Sequence, residues 1–247
     1  QLTIDLEYQS ILEEELKKRQ DETSSSSATG LIMDPETGEI LAMATTPGFD
    51  NNHFGSTRPE FHRIRSITDQ FEPGSTFKIV STVSALYNGL ISLNDEFNCE
   101  NGSFEYHTKK ITDHESYSML TASQIIHHSS NIGIIKIMDQ VGQKKLFSMS
   151  RDFGFGSKTG INLNGEISGK LNHYNDWSAV SLGMIAMGHE VGVTAIQLAS
   201  AYCALANGGY LLKPRIVKQI MDESENIIFS EEPVVLRKIA DDSTIES

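Results

Sequence analysis

Hydrophobic positions follow two rhythms along the chain. From Ser75 to Tyr87, Phe77, Val80, Val83 and Leu86 recur at three-residue steps and Asn88-Gly89 stops them, which predicts a helix. Leu6 to Gln20 predicts an amphipathic helix, with Leu6, Ile11, Leu12 and Leu16 apolar and a charged opposite face. Thr121 with Gln124, and Thr194 with Gln197, have the spacing of capping boxes. The first opens a short helix to His128; the second opens one that stops at Asn207-Gly208-Gly209. Asn131 to Gln140, Lys144 to Asp152 and the apolar stretch Trp177 to Met187 also predict helices. Alternation and β-branched content instead predict strands at Leu31–Met33 and Ile40–Thr45, joined by Asp34-Pro35-Glu36-Thr37-Gly38. Shorter extended stretches are expected at Leu2–Ile4, around Phe104–Tyr106, and within Tyr210–Phe229, where Pro214 makes a bend. Ser24–Ser27 has linker composition, Pro47 to Ile67 is irregular, and the chain carries no internal repeat.

A chain of 247 residues makes one large domain or two small ones, with enough length for a sizeable core. Its 20 Lys and Arg against 33 Asp and Glu give a net charge of −13, which argues against binding a phosphate backbone. Nucleic acid is therefore not an expected partner. Two cysteines, Cys99 and Cys203, define no disulfide framework, and two separate buried thiols are preferred over a bridge. No apolar run is long enough to span a bilayer.

The candidate chemistry sits at Glu72-Pro73-Gly74-Ser75-Thr76-Phe77-Lys78. A serine hydroxyl is a weak nucleophile until a base takes its proton. An amine one helical turn away can do that if burial or a neighbouring cation lowers its pKa. The helix start also favours developing negative charge. Alone, the pattern fits a capping serine and a solvated lysine at least as well. Ser129-Ser130-Asn131 changes the weighing, because Ser-x-x-Lys followed by Ser-x-Asn is the pattern of serine acyl-enzymes that open or transfer amides. Ser129 then offers a hydroxyl for proton relay and Asn131 an amide to hold a substrate peptide. His127 and His128 lack further ligands at metal spacing and read as structural.

These motifs, in this order, resemble the transpeptidase domain of class B penicillin-binding proteins, nearest the division-type peptidoglycan transpeptidases. The resemblance covers nearly the whole chain. It includes Gln1 to Asp5, Asp34 to Met43, Thr68-Asp69, Ser129 to Gly133, Phe153-Gly154-Phe155-Gly156 and Gln197 to Gly209. It implies an α+β fold like that of serine β-lactamases, an antiparallel sheet flanked by helices with an all-helical subdomain. The implied activity is D,D-transpeptidation of peptidoglycan stem peptides in septal wall synthesis, with inhibition by β-lactams. Ser75 is the implied nucleophile, Lys78 the base, Ser129 the proton relay and Asn131 the substrate-binding residue. No metal or cofactor is implied. The implied partners are a membrane glycosyltransferase and division proteins, at the extracytoplasmic (periplasmic) face of the membrane, with anchoring by an N-terminal helix outside this chain.

The third motif of such enzymes is a Lys-Thr-Gly on a sheet strand beside the serine. Lys158-Thr159-Gly160 matches it in letters, but it follows soon after Ser129 and lies among Gly154, Gly156 and Gly165, so a structural turn is expected there. By resemblance, the true motif comes after one more helix, whose cap is expected at Asp242-Ser243-Thr244. The expectation is therefore one transpeptidase domain over residues 1–247, without its pedestal and its C-terminal strands, and inactive if so shortened. Two other readings stand beside the enzyme: a β-lactamase or β-lactam-sensing receptor of the same fold, and a non-catalytic partner-binding domain.

Overall fold

A computed structural model describes residues 1–246. In chain order its helices are α1 (Leu6–Thr23), α2 (Arg65–Thr68), α3 (Lys78–Tyr87), α4 (Ala122–His127), α5 (Asn131–Val141), α6 (Gln143–Asp152), α7 (Ser181–Ala186), α8 (Ala195–Ala206) and α9 (Asp242–Ile245). The strands are β1 (Ala28–Met33), β2 (Ile40–Thr46), β3 (Glu96–Asn98), β4 (Ser103–Tyr106), β5 (Lys109–Thr112), β6 (Met119–Thr121), β7 (Tyr210–Leu212), β8 (Gln219–Met221), β9 (Ile227–Ser230) and β10 (Val235–Lys238). Residues 1–70, 157–168 and 194–237 form one compact unit; residues 71–156, 169–193 and those from Lys238 onward form another. No described helix is long and apolar enough to cross a membrane.

The first unit is built on the β1–β2 hairpin, paired antiparallel from Ala28↔Thr46 to Met33↔Ile40 with an irregularity at Ile32/Met33. Ile40, Ala42 and Ala44 on β2 are buried and alternate with half-buried neighbours, the period of a strand with one covered face. Ile40 packs with Ile67, Ile161 and Ile196, and Leu31, Met33 and Ile64 close the cluster. α1 is capped by Asp5, whose carboxylate accepts from the N–H groups of Glu7 and Tyr8. The stripe of α1 that docks keeps Leu12 and Leu16 of the expected set but not Leu6 and Ile11. Leu6 and Ile11 are exposed, at 83% and 50%. Gln9, Leu12, Leu16 and Gln20 face the hairpin instead: Gln9 pairs with the backbone of Met43, Gln20 accepts from Thr46 Oγ1, and Leu12 and Leu16 lie over Gly30. Two glutamine amides thus join the leucines as anchors, and Gln9 satisfies backbone that a leucine would leave unpaired. Leu2–Ile4 forms only a bridge, Leu2↔Val217, rather than a strand.

In the same unit, Thr194 and Gln197 make the expected capping box of α8. Gln197 Nε2 also donates to Ser157 O at 2.6 Å and Ser168 O at 2.9 Å, closing the segment 157–168 at both ends. Pro47 to Ile67 contains two 3₁₀ turns, Asn51–Ser56 and Pro59–His62, before α2. Arg63 and Arg65 both donate to Asp69, which holds that carboxyl below its ordinary range together with the Thr68 hydroxyl.

The second unit is helical around a core that includes Phe77, Ile125, Ile132, Ile135, Met138, Leu146, Phe153 and Phe155. The Phe77 and Phe155 rings lie 5.2 Å apart. The unit also carries two short antiparallel ribbons, β3–β6 and β4–β5, where the resemblance implied helices alone. Trp177 to Met187 is only partly helical. Ser181 Oγ accepts from the N–H of Ser178, a local turn that competes with helix, and α7 begins at Ser181. Cys99 and Cys203 are both free, one in each unit.

Candidate active site

The site lies within the second unit. Pro73 and Gly74 start a 3₁₀ turn, Gly74–Phe77, which runs into α3. Gly74 has φ +56°, a backbone that a side chain resists. The entry segment is tied to residues 188–193. Phe71 and Val193 exchange backbone hydrogen bonds, and Gly74 N donates to Gly188 O at 3.1 Å. A Cβ on Gly188 would stand 2.1 Å from Gly74 O, so the two glycines touch backbone to backbone. Glu72 accepts from the Glu190 N–H and pairs with His189 Nδ1, both at 2.9 Å, and these hydrogen bonds hold its carboxyl below the ordinary range.

This start leaves Ser75 exposed and buries Lys78 one turn later, with 2% of its surface exposed. Lys78 Nζ donates to Ser129 O at 2.5 Å, Ser129 Oγ at 3.0 Å and Asn131 Oδ1 at 2.8 Å. Those three bonds account for the three protons of an ammonium. Burial pushes the Lys78 amine down to about 8, against an opposing pull from the Asp113 carboxylate. The Ser75 hydroxyl takes no part in these bonds.

The second motif is shaped by the corner between α4 and α5. Thr121 and Gln124 form the expected capping box of α4, which ends at His128. Ser129 then adopts φ +55°, in the left-handed region that is uncommon for serine. Ser130 caps α5, its hydroxyl accepting from Gly133 N at 2.9 Å. Gly133 has no side chain because Ile125 fills that space, 2.4 Å from where a Cβ would stand. Asn131 is oriented at both ends, Oδ1 toward Lys78 and Nδ2 donating to Thr112 O.

The residue that sequence reading passed over is Asp113. Its carboxylate accepts from Ser130 Oγ at 2.6 Å, Asn131 N at 2.5 Å and Ile132 N at 3.1 Å. No local spacing announces it, since a hairpin end and a helix start far apart in sequence must meet first. His127 and His128 are exposed beside the motif, and no metal-holding group of His, Cys, Asp or Glu occurs among the described residues.

Lys158-Thr159-Gly160, in the first unit, lies outside any strand. Lys158 is exposed, while Thr159 N and Oγ1 donate to Glu166 Oε1, both at 2.6 Å, and Gly160 N donates to Glu166 Oε2. It is the turn that its flanking glycines predict.

Comparison with known proteins gives this geometry its context. The family described as penicillin binding protein transpeptidase domain matches residues 28–245. Stage V sporulation protein D of Bacillus subtilis is 31% identical over 98% of this chain, which spans 38% of that protein. Peptidoglycan D,D-transpeptidase FtsI of Escherichia coli is 33% identical over 84% of this chain, spanning 35% of its own length. The chain thus corresponds to somewhat over a third of these relatives. Among solved structures, penicillin-binding protein 3 of Mycobacterium tuberculosis complexed with ampicillin superposes with a TM-score of 0.91, at 25% identity, over 99% of this chain and 54% of that one. The α+β fold implied by the motifs is therefore the fold found, and the chain belongs to the penicillin-binding protein transpeptidase domain family.

Proposed function

We propose that this domain carries a D,D-transpeptidase site that crosslinks peptidoglycan stem peptides through an acyl-enzyme on Ser75. The observation that carries the reading is Lys78, a buried amine one turn beyond an exposed serine, held by Ser129 and Asn131 and brought to about 8. At neutral pH a useful fraction of such an amine is unprotonated. Losing one proton gives Nζ a lone pair, and the Ser129 hydroxyl can then donate to it rather than accept.

Ser75 Oγ attacks the carbonyl carbon between the two terminal D-alanines as its proton passes to Lys78 Nζ. The Ser75 N–H supplies one donor to the oxyanion. When the C–N bond breaks, the proton travels from Lys78 through Ser129 Oγ to the departing D-alanine amine. An amine from a neighbouring stem then attacks the ester and releases Ser75. A β-lactam presents a similar amide and acylates the same oxygen. Asn131, fixed by Thr112 O and Lys78, holds the substrate peptide with its remaining amide proton. The setting that accompanies this reading is septal wall synthesis on the extracytoplasmic face of the membrane, beside a glycosyltransferase and division proteins. The name of the Escherichia coli relative, a peptidoglycan D,D-transpeptidase, supports the reaction in this reading.

Labelling of the complete protein with a fluorescent penicillin, followed by peptide mass spectrometry, tests the reading. The adduct is expected on the peptide bearing Ser75 and is lost in Ser75→Ala. An adduct on Ser129 or Ser130, or none at any serine, overturns it.

A further inference from the structure

The end of the β4–β5 hairpin meets the second motif from outside it. Thr112 O takes a proton of Asn131 Nδ2 at 2.9 Å, and the next residue, Asp113, receives Ser130 Oγ and the N–H groups of Asn131 and Ile132. The first amides of a helix have no intrahelical acceptor, and negative charge at that end is favoured. Asp113 therefore meets both needs of α5 with one side chain. Immediately before it stands Ser129 at φ +55°, a conformation that persists where the surroundings over-determine it. Asp113 grips the three residues that follow Ser129, namely Ser130, Asn131 and Ile132.

We propose that Asp113 is a positioning residue of the acylation site: its carboxylate locks the first turn of α5 so that Ser129 and Asn131 stay against Lys78 Nζ, and through Asn131 its charge is held beside the Lys78 pocket. This rests on the reading of Lys78 as the base. The charge acts on Lys78 in the direction expected of a carboxylate near an amine, against the effect of burial. Burial pushes up the Cys99 thiol and the hydrogen bond to Glu115 pushes up the Tyr117 hydroxyl, and the Asp113 charge adds a smaller push to each. Of the other charged groups on elements around α3, Lys144 and Lys145 of α6 are exposed to solvent, and the following have partners of their own. Lys136 of α5 pairs with Glu100 at 3.0 Å, Asp139 accepts from the Tyr106 hydroxyl, Arg151 of α6 donates to Phe155 O, and Asp242 of α9 pairs with Lys238. At the head of the helix Glu72 is engaged by His189.

The test compares wild-type protein with Asp113→Asn and Asp113→Ala. Two quantities are followed against pH: the rate of labelling by fluorescent penicillin, and the titration of Lys78 from its ¹³Cε shift in lysine-labelled protein. Asparagine keeps the shape and one acceptor but not the charge. In that variant the Lys78 midpoint and the acid limb of labelling should both move to lower pH. Alanine releases the turn, and labelling should fall on the order of 10²-fold, the scale of a small misplacement of catalytic groups. Labelling of Asp113→Ala within about twofold of wild type would refute the positioning role, whatever the titration shows. An unmoved Lys78 midpoint in Asp113→Asn would refute the electrostatic one, even if the alanine variant fails to fold. If wild-type protein is not labelled at Ser75 while the midpoint still moves in Asp113→Asn, the transpeptidase reading fails and the coupling of Asp113 to Lys78 stands.

Discussion

Two lysines in this chain sit in short motifs with hydroxyl neighbours, and they have opposite environments. Lys78 begins a helix, is buried, and spends its three protons on Ser129 and Asn131. Lys158 is exposed on a turn whose polar atoms are gathered by Glu166, the Thr159 and Gly160 amides and the Thr159 hydroxyl among them. The letters of a motif do not set reactivity. Burial does, because removing an amine from water lowers its pKa, and acceptors then determine where its protons point. Both environments depend on side chains from elsewhere in the chain, Ser129 and the half-buried Asn131 in one case and the buried Glu166 in the other.

The contrast can be broken most severely at Lys78. Lys78→Arg should lower penicillin labelling by roughly 10²–10⁴-fold, since arginine stays protonated and cannot act as the base. Circular dichroism on the same sample separates this from unfolding. Wild-type labelling should rise with pH because only the unprotonated amine can accept the serine proton. For a group titrating at about 8 the rise is roughly 50-fold between about pH 6 and 8, then flattens. A rate that climbs unabated past pH 10 would place Lys78 at its ordinary value. Glu166→Gln, by weakening the acceptor for three donors, should destabilise the protein by about 1–3 kcal/mol, seen as a lower Tm. Lys158→Ala should change stability by no more than about 0.5 kcal/mol and labelling by no more than a few-fold, as for an ordinary surface substitution.

What could be read from the chain follows the range of the forces involved. Both capping boxes were legible because Thr121 and Gln124, or Thr194 and Gln197, satisfy each other within one turn. The break at Pro73-Gly74 and the stop after Tyr87 were legible for the same reason. Of the candidate site, the chain showed Ser75, Lys78, Ser129 and Asn131, of which the fold brings Lys78 to Ser129 and Asn131 and leaves Ser75 exposed. Asp113 was not legible, because its value depends on where the hairpin end lands against α5. Half of the docking stripe of α1 was misread for a related cause: Gln9 and Gln20 became anchors only once the Met43 backbone and the Thr46 hydroxyl of β2 offered them partners, while Leu12 and Leu16 dock as their spacing implies. Trp177 to Met187 looked uniformly apolar, but Ser178 and Ser181 close a turn that hydropathy alone does not show.

The contact of Gly188 with Gly74 has a consequence for how this protein can change. Position 188 carries no functional group, yet any side chain there would collide with the backbone one residue before Ser75. The presentation of Ser75, the proposed nucleophile, can therefore be altered from a site that no reaction scheme includes. Variation that tunes acylation without touching Ser75, Lys78, Ser129 or Asn131 has a short route through this glycine. A population under selection for slower reaction with an inhibitor could take that route through a single added methyl group.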